Sequence, residues 1–494
     1  MNPVRNQNFK MFHINKLSVE GIVTWRRRVK LGAVSNGVKK NILFLLAFFF
    51  AFSTAYAADE LPPLPKGPMI LTSATPAMQS AEYWIKRIPD AEKPIKTMDQ
   101  MKHFNEEIKN MVPENIDVLK LDKSRPGKAV IDQLQLEYDT LKNRKLFDAK
   151  DKTVPKTFFE EEVKPIMQID QVPARIKVKW GVATRATSVR AIPTMVKMIE
   201  GKGDVEFDQL QYTLIKLWTP VAIYHTSSDG KWFYVQAPYV RGWVKAKDIA
   251  IFEGREELKT RLKSGSFLVV TGESVRVFRD ATLKEVFQRP SMGTVIPMAS
   301  SKSSEGSYPV WMPYRKEGGV VGLTKCYISR KSDVTKGFPV YSQANVIRQA
   351  FKLLGQRYGW GGQYNGRDCS GFTHDVFLSF GVDLPRDSKQ QAMVGTQLGY
   401  FEPFQNDVEK KAVLRSARPG ITLMKMPHHQ MIYLGTVNDQ FYTIHSTWAE
   451  RTGQDELADE KNRINQVVVS DLELNGRSYV GSLFDRILSI NEVD

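Results

Sequence analysis

The sequence predicts a multidomain chain: a helical N-terminal segment, two small all-β barrels in tandem, and a C-terminal α+β domain. Three observations predict it. Apolar residues recur at helical spacing between Ser80 and Phe147. From about Val172 to Ile328 the period switches to two over many short runs, broken by turn residues. Beyond about Ser342 helical and strand-like patterns mix.

Residues 1–57 read as a signal peptide. Arg26, Arg27, Arg28, Lys30, Lys39 and Lys40 precede an unbroken apolar run from Ile42 to Phe52, and Ala55-Tyr56-Ala57 supplies a small-x-small cleavage site. Eleven apolar residues fall short of the roughly 20 that a membrane-spanning helix requires. The expectation is export across the inner membrane to the periplasm or cell envelope, with no stable membrane insertion after cleavage. The whole chain of 494 residues carries a net charge of +16, and removing 1–57 leaves 437 residues at +8. A basic exported protein suits a polyanionic partner such as peptidoglycan with its carboxylated stem peptides or an anionic lipid surface. Export and the lack of a nucleic-acid motif exclude nucleic acid.

Residues 58–165 comprise a Pro-rich linker and the helical segment. Its helices are expected at Ala81–Ile85, Met98–Met111 and Ala129–Leu146, separated by Pro89, Pro94, Pro113 and Pro126. The first barrel is assigned to 166–253. Its strands include Thr213–Trp218, Val221–His225, Trp232–Gln236 and Gly242–Val244, with Ser228-Asp229-Gly230 as a hairpin turn. The second, 254–335, repeats the style in Phe267–Val270, Val275–Phe278, Thr294–Met298 and Tyr308–Met312. In 336–494, Ile347, Phe351 and Leu354 mark a helix stopped by Gly355, and a second helix runs from Cys369 to about Phe380. A third lies near Ser388 to Val394, followed by a strand-rich tail.

Cys369 falls in the first turn of its helix, where unpaired N–H groups favour a thiolate, so a lowered thiol pKa is expected. A thiol nucleophile needs a base and an orienting group. His428 or His429 opens the run Met431 to Leu434, and His445 closes the partner strand Phe441 to Ser446, with a turn over Thr436 to Asp439. An antiparallel hairpin brings its two ends together, yet His429 and His445 share a face only if the register is even, which favours a three- or five-residue loop or a bulge. His374, five residues past Cys369, sits about 140° around the helix and should face away. Taken singly, each histidine in a strand reads as a packing residue. Cys326 lies in a strand-like run and reads as a buried apolar thiol rather than a disulfide partner for Cys369. Zinc at Cys369, His429 and His445 lacks a fourth donor and close ligand pairs, so no metal or other cofactor is expected.

The pieces Tyr358-Gly359-Trp360-Gly361-Gly362, Asp368-Cys369-Ser370-Gly371-Phe372, Pro419-Gly420 and His429-Gln430-Met431-Ile432-Tyr433-Leu434-Gly435 occur in order. Together they resemble the NlpC/p60 family of papain-like cysteine peptidases that act on bacterial cell wall. Phe207 through Val244 resembles the bacterial SH3-like (SH3b) barrel attached to one branch of that family, and Met101 to Ile108 its N-terminal helical segment. The resemblance implies Cys369 as nucleophile, His429 rather than His428 as base, His445 as third polar residue and Tyr358 at the oxyanion. It implies cleavage between D-γ-glutamate and the diamino acid, meso-diaminopimelate, of a stem peptide. It further implies recognition of a free L-alanine amine by Asp368 and, in the first barrel, Tyr239, with Ser370 and Ser388 as substrate contacts. For both serines helix N-capping is the competing reading. Gln430 and Met431 replace the small residues usual after the family's histidine and are expected to narrow the cleft. Two other readings stand beside the peptidase: a wall-binding scaffold with an inactive C-terminal domain, and a thiol amidase or acyltransferase on the same fold.

Overall fold

The computed structural model describes residues 67–263, 265–300, 306–456 and 460–494, so the expected signal peptide lies outside them. No helix among the described residues is long and apolar enough to cross a membrane.

Helix α1 (Met98–Met111) starts at a capping box: Thr97 Oγ1 accepts from Gln100 N, and the Gln100 side chain accepts from Thr97 N at 2.8 Å. Its apolar stripe Met101, Phe104 and Ile108 is buried in the core of the C-terminal domain, with Phe377 and Val382. Helix α2 (Lys128–Asn143) instead buries Val130, Leu134 and Tyr138 among residues of the β units. The helical segment is therefore divided between two cores and straddles the β units and the C-terminal domain.

The first β unit contains β1 (Lys179–Ala183), β2 (Thr187–Arg190), β3 (Gln211–Ile215), β4 (Pro220–Thr226), β5 (Trp232–Ala237), β6 (Val240–Lys245) and β7 (Ile249–Ile251). They form one antiparallel sheet in the order β3-β2-β6-β5-β4-β1-β7. Alternation aims Tyr234 and Trp243 into its interior, both fully buried. The second unit has β8 (Phe267–Val270), β9 (Val277–Phe278), β10 (Val286–Gln288), β11 (Val295–Pro297), β12 (Ser307–Arg315), β13 (Val321–Ser329) and β14 (Val334–Lys336). These fall into two sheets, β11-β8-β14 and β10-β9-β13-β12, closed over Leu268, Val277, Ile296, Val310 and Cys326. Cys326 and Cys369 are both free thiols.

The C-terminal domain places α3 (Gln343–Phe351) and α4 (Cys369–Leu378) against a six-stranded sheet. Its strands are β15 (Thr396–Tyr400), β16 (Thr422–Met426), β17 (His429–Val437), β18 (Gln440–Arg451), β19 (Lys461–Asp471) and β20 (Ser489–Glu492), ordered β15-β20-β16-β17-β18-β19. Phe372, Val376 and Phe377 of α4 share a core with Leu423, Ile432 and Ile444. The β17–β18 hairpin turns on two residues, Asn438 and Asp439, both left-handed (φ 49° and 62°), the backbone of a tight primed turn. That short loop alone would leave His429 and His445 on opposite faces. A bulge between Tyr433 and Gly435 shifts the register, so Ile432 pairs with Ile444 and both histidines share a face.

Candidate active site

The site begins at the N-terminus of α4. Asp368 caps it: Oδ1 accepts from Gly371 N at 2.7 Å, while Oδ2 accepts from Gly361 N at 2.9 Å and from Arg386 Nη2 at 2.6 Å. Arg386 also donates to Ser370 Oγ at 2.8 Å and, across to the first β unit, to Thr213 Oγ1 at 2.9 Å. Ser370 is therefore an acceptor in this cluster and not the cap. Ser388 opens a short helix, Ser388–Gln391, capped by the Asp387 side chain through Lys389 N at 2.8 Å. Capping is thus removed as an explanation for either serine.

Cys369 is 8% exposed, and its Sγ lies 3.9 Å from the carbonyl of His428, a turn residue with φ 59°. Burial pushes the thiol up to about 12, and the Asp368 carboxylate adds to the rise against the backbone N–H of Gln430. The helix terminus does not prevail: the expectation of a lowered thiol pKa is overturned, because Cys369 is buried beside its own capping carboxylate.

His429 Nε2 and His445 Nδ1 are 2.6 Å apart, and His445 Nε2 lies 3.1 Å from Ser470 Oγ. Burial, then His445, Lys425 and Arg486, hold His429 well below its usual range, and burial lowers His445 to about 3. Both rings are neutral. If His429 Nδ1 is to take a proton from sulfur, Nε2 carries the hydrogen and donates to His445 Nδ1; His445 then donates from Nε2 to Ser470. Among the described residues Cys369 Sγ contacts the carbonyl of His428 and makes no hydrogen bond to the His429 ring.

Tyr358 is 8% exposed and anchored by its N–H to Asn465 O at 2.9 Å. Its phenol is raised well above the usual range by burial, then by Cys369 and Asp368. Phe207, from the first β unit, packs 5.5 Å from the ring of Trp360 and 5.2 Å from that of Trp448. Next to it, Glu206 accepts from Arg357, Trp448 and Asn465 at 2.8 to 3.1 Å.

Tyr239 is not brought to the cleft. Its ring stacks edge-on to His374 at 4.8 Å, and its hydroxyl lies 3.5 Å from Leu214 O, around α4 from Cys369. The hairpin between β5 and β6 runs under the helix rather than over its N-terminus. Sequence reasoning missed Ser470, Arg386 and Glu206. None of the three carried a local signal: each is defined by partners distant in sequence.

A model of the NlpC/P60 family matches residues 355–473, and one of the SH3 domain (SH3b1 type) matches 199–245. Residues 355–473 are an NlpC/P60 domain. Cys369, His429, His445, Tyr358 and Ser470 all lie within it. A γ-D-glutamyl-L-lysine dipeptidyl-peptidase of Bacillus cereus is 26% identical over 219 residues, 43% of this chain and 57% of that protein. The chain thus spans little more than half of that relative. The Bacillus subtilis enzyme of the same name is 33% identical over 85 residues, 16% of this chain and 29% of its own length. An NlpC/P60 endopeptidase structure from Photobacterium damselae subsp. piscicida superposes with a TM-score of 0.68 at 18% identity, over 87% of this chain and 99% of the other. That likeness extends the fold agreement well beyond the NlpC/P60 domain, into the region of the β units and helical segment.

Proposed function

We propose that the protein is an exported cysteine endopeptidase of the cell envelope that hydrolyses peptidoglycan stem peptides at the γ-D-glutamyl–diamino acid bond. The observation that carries this reading is the relay from His429 through His445 to Ser470, together with a cysteine that heads a helix and whose Sγ lies 3.9 Å from the carbonyl of His428, the residue before the base. At rest the proton is on sulfur. As substrate enters, His429 Nδ1 takes it and Sγ attacks the amide carbonyl; the backbone N–H of Cys369 and the Tyr358 hydroxyl receive the oxyanion. His429 then returns the proton to the departing amine, and water, activated by the same ring, releases the acyl group. The names of the Bacillus relatives support the γ-D-glutamyl linkage.

The expected requirement for a free L-alanine amine is not part of this proposal. Asp368 is already committed to two backbone N–H groups and a guanidinium, and Tyr239 faces His374. The test is mass spectrometry of products from L-Ala-γ-D-Glu-diaminopimelate, free and N-acylated, with Cys369→Ala as control. Cleavage of both peptides by the native protein alone is the expected result. No cleavage of either would favour a wall-binding scaffold, and cleavage of the free amine alone would restore the amine requirement.

A further inference from the structure

Lys425 and Gln430 stand directly opposite each other in the β16–β17 ladder, so their side chains share a face. It is the face that carries Leu423 and Ile432 against α4, the helix headed by Cys369. The carbonyl of His428, two residues before Gln430, lies 3.9 Å from Cys369 Sγ, which sets this pair close to the nucleophile. Lys425 is 6% exposed, and its ammonium contacts the carbonyl of Met426. Among the described residues no carboxylate pairs with it at ion-pair distance; the charge of Asp387, whose side chain caps Lys389 N, acts on it only from further off. Gln430 is fully buried, and neither its amide nitrogen nor its amide oxygen has a hydrogen-bond partner.

A buried ammonium with no carboxylate in contact and a buried amide with unused donors are both costly to leave as they are. An incoming anion relieves both. On the peptidase reading, which this inference rests on, such an anion comes with the substrate: a γ-linkage leaves the α-carboxylate of glutamate free, and diaminopimelate carries carboxylates of its own. We propose that Lys425 and Gln430 form a carboxylate-binding subsite beside Cys369 that selects stem peptides bearing a free carboxylate next to the scissile bond. In place of the small residues usual after the histidine, Gln430 then serves recognition as well as filling space.

The test compares kcat/KM for three peptides: L-Ala-γ-D-Glu-diaminopimelate, the same peptide with the glutamate α-carboxylate amidated, and the one with lysine in place of diaminopimelate. Losing a charge-assisted hydrogen bond to the subsite should lower kcat/KM by roughly 10- to 100-fold, and the arm that falls identifies the carboxylate. In Lys425→Met that ratio should shrink to within about threefold, while Lys425→Arg and the neighbouring Lys389→Met should keep it. If Lys425→Met does not fold, Gln430→Leu should shrink the ratio severalfold. A native ratio under about threefold on both arms, or a ratio that survives in Lys425→Met, overturns the subsite. Should no peptide be cleaved, calorimetric binding to the Cys369→Ala protein separates the two proposals. Affinity that depends on the carboxylate and on Lys425 would keep the subsite while the peptidase reading fails, and equal affinity for all three peptides would remove it.

Discussion

Burial is the largest influence on the protonation of the three candidate catalytic groups, Cys369, His429 and His445. The thiol is raised and both imidazoles are lowered, so the free protein holds a neutral Cys369 and His429 instead of a preformed ion pair. The rate of Cys369 alkylation by iodoacetamide should therefore climb steadily from pH 6 to beyond pH 9; a plateau reached below pH 7 would contradict this. Ser470 fixes the tautomer of His445 without touching substrate. Ser470→Ala should lower kcat by about three- to tenfold, the worth of one neutral hydrogen bond, with KM unchanged. A change confined to KM would assign Ser470 elsewhere. Arg386 and Asp368 form a buried pair, with side chains 13% and 10% exposed, and Arg386→Met strands the carboxylate at the helix cap. The expected loss is about 3–5 kcal/mol in chemical denaturation, against near neutrality for exchange of an exposed pair.

Between elements, backbone geometry brings the site together. Tyr358 and Trp360 flank Gly359, where an added Cβ would meet the Gln363 carbonyl oxygen at 2.1 Å and the Gly366 backbone at 2.9 Å. Gly359→Ala should displace the loop and abolish most activity while leaving the far-ultraviolet circular dichroism unchanged; full activity would show that the loop tolerates a methyl group. The N-terminus of α4 was legible because apolar residues follow the cysteine at helical spacing, whereas its Asp368 cap emerged only from the structure. The shared face of His429 and His445 was legible only as a condition, an even register, which the bulge at Leu434 fulfils. What stayed hidden depends on partners far apart in sequence. Ser470 reaches His445 through the pairing of β18 with β19, and local pattern does not give that register. The thiol pKa was misjudged for the same reason, since dipole and cap are local while burial is tertiary. Tyr239 was misplaced because periodicity identifies a hairpin without saying where it docks.

At the scale of the whole molecule, the first β unit reaches into the NlpC/P60 domain through Glu206 and Phe207. Glu206 is 5% exposed; burial works to raise its pKa, but Trp448, Arg357, Arg463 and Asn465 together bring it below 4.5. Because the folded value is depressed, its stabilising contribution is complete above the unfolded value and lost as pH falls through the folded one. Thermal denaturation should show stability declining below about pH 4.5, and less steeply in Glu206→Gln. Identical slopes would mean that the carboxylate contributes nothing to the junction. Arg190 and Asp208, both buried and 2.8 Å apart, brace the base of the same loop. One module thus packs Glu206 and Phe207 against the loop and strands of the other, which holds the candidate reacting groups. On the proposed function, exchanging the first β unit between relatives would alter which peptides are cut, and transplanting residues 355–473 alone would move the chemistry without its selectivity. Recombination between such proteins would trade in pairs of modules.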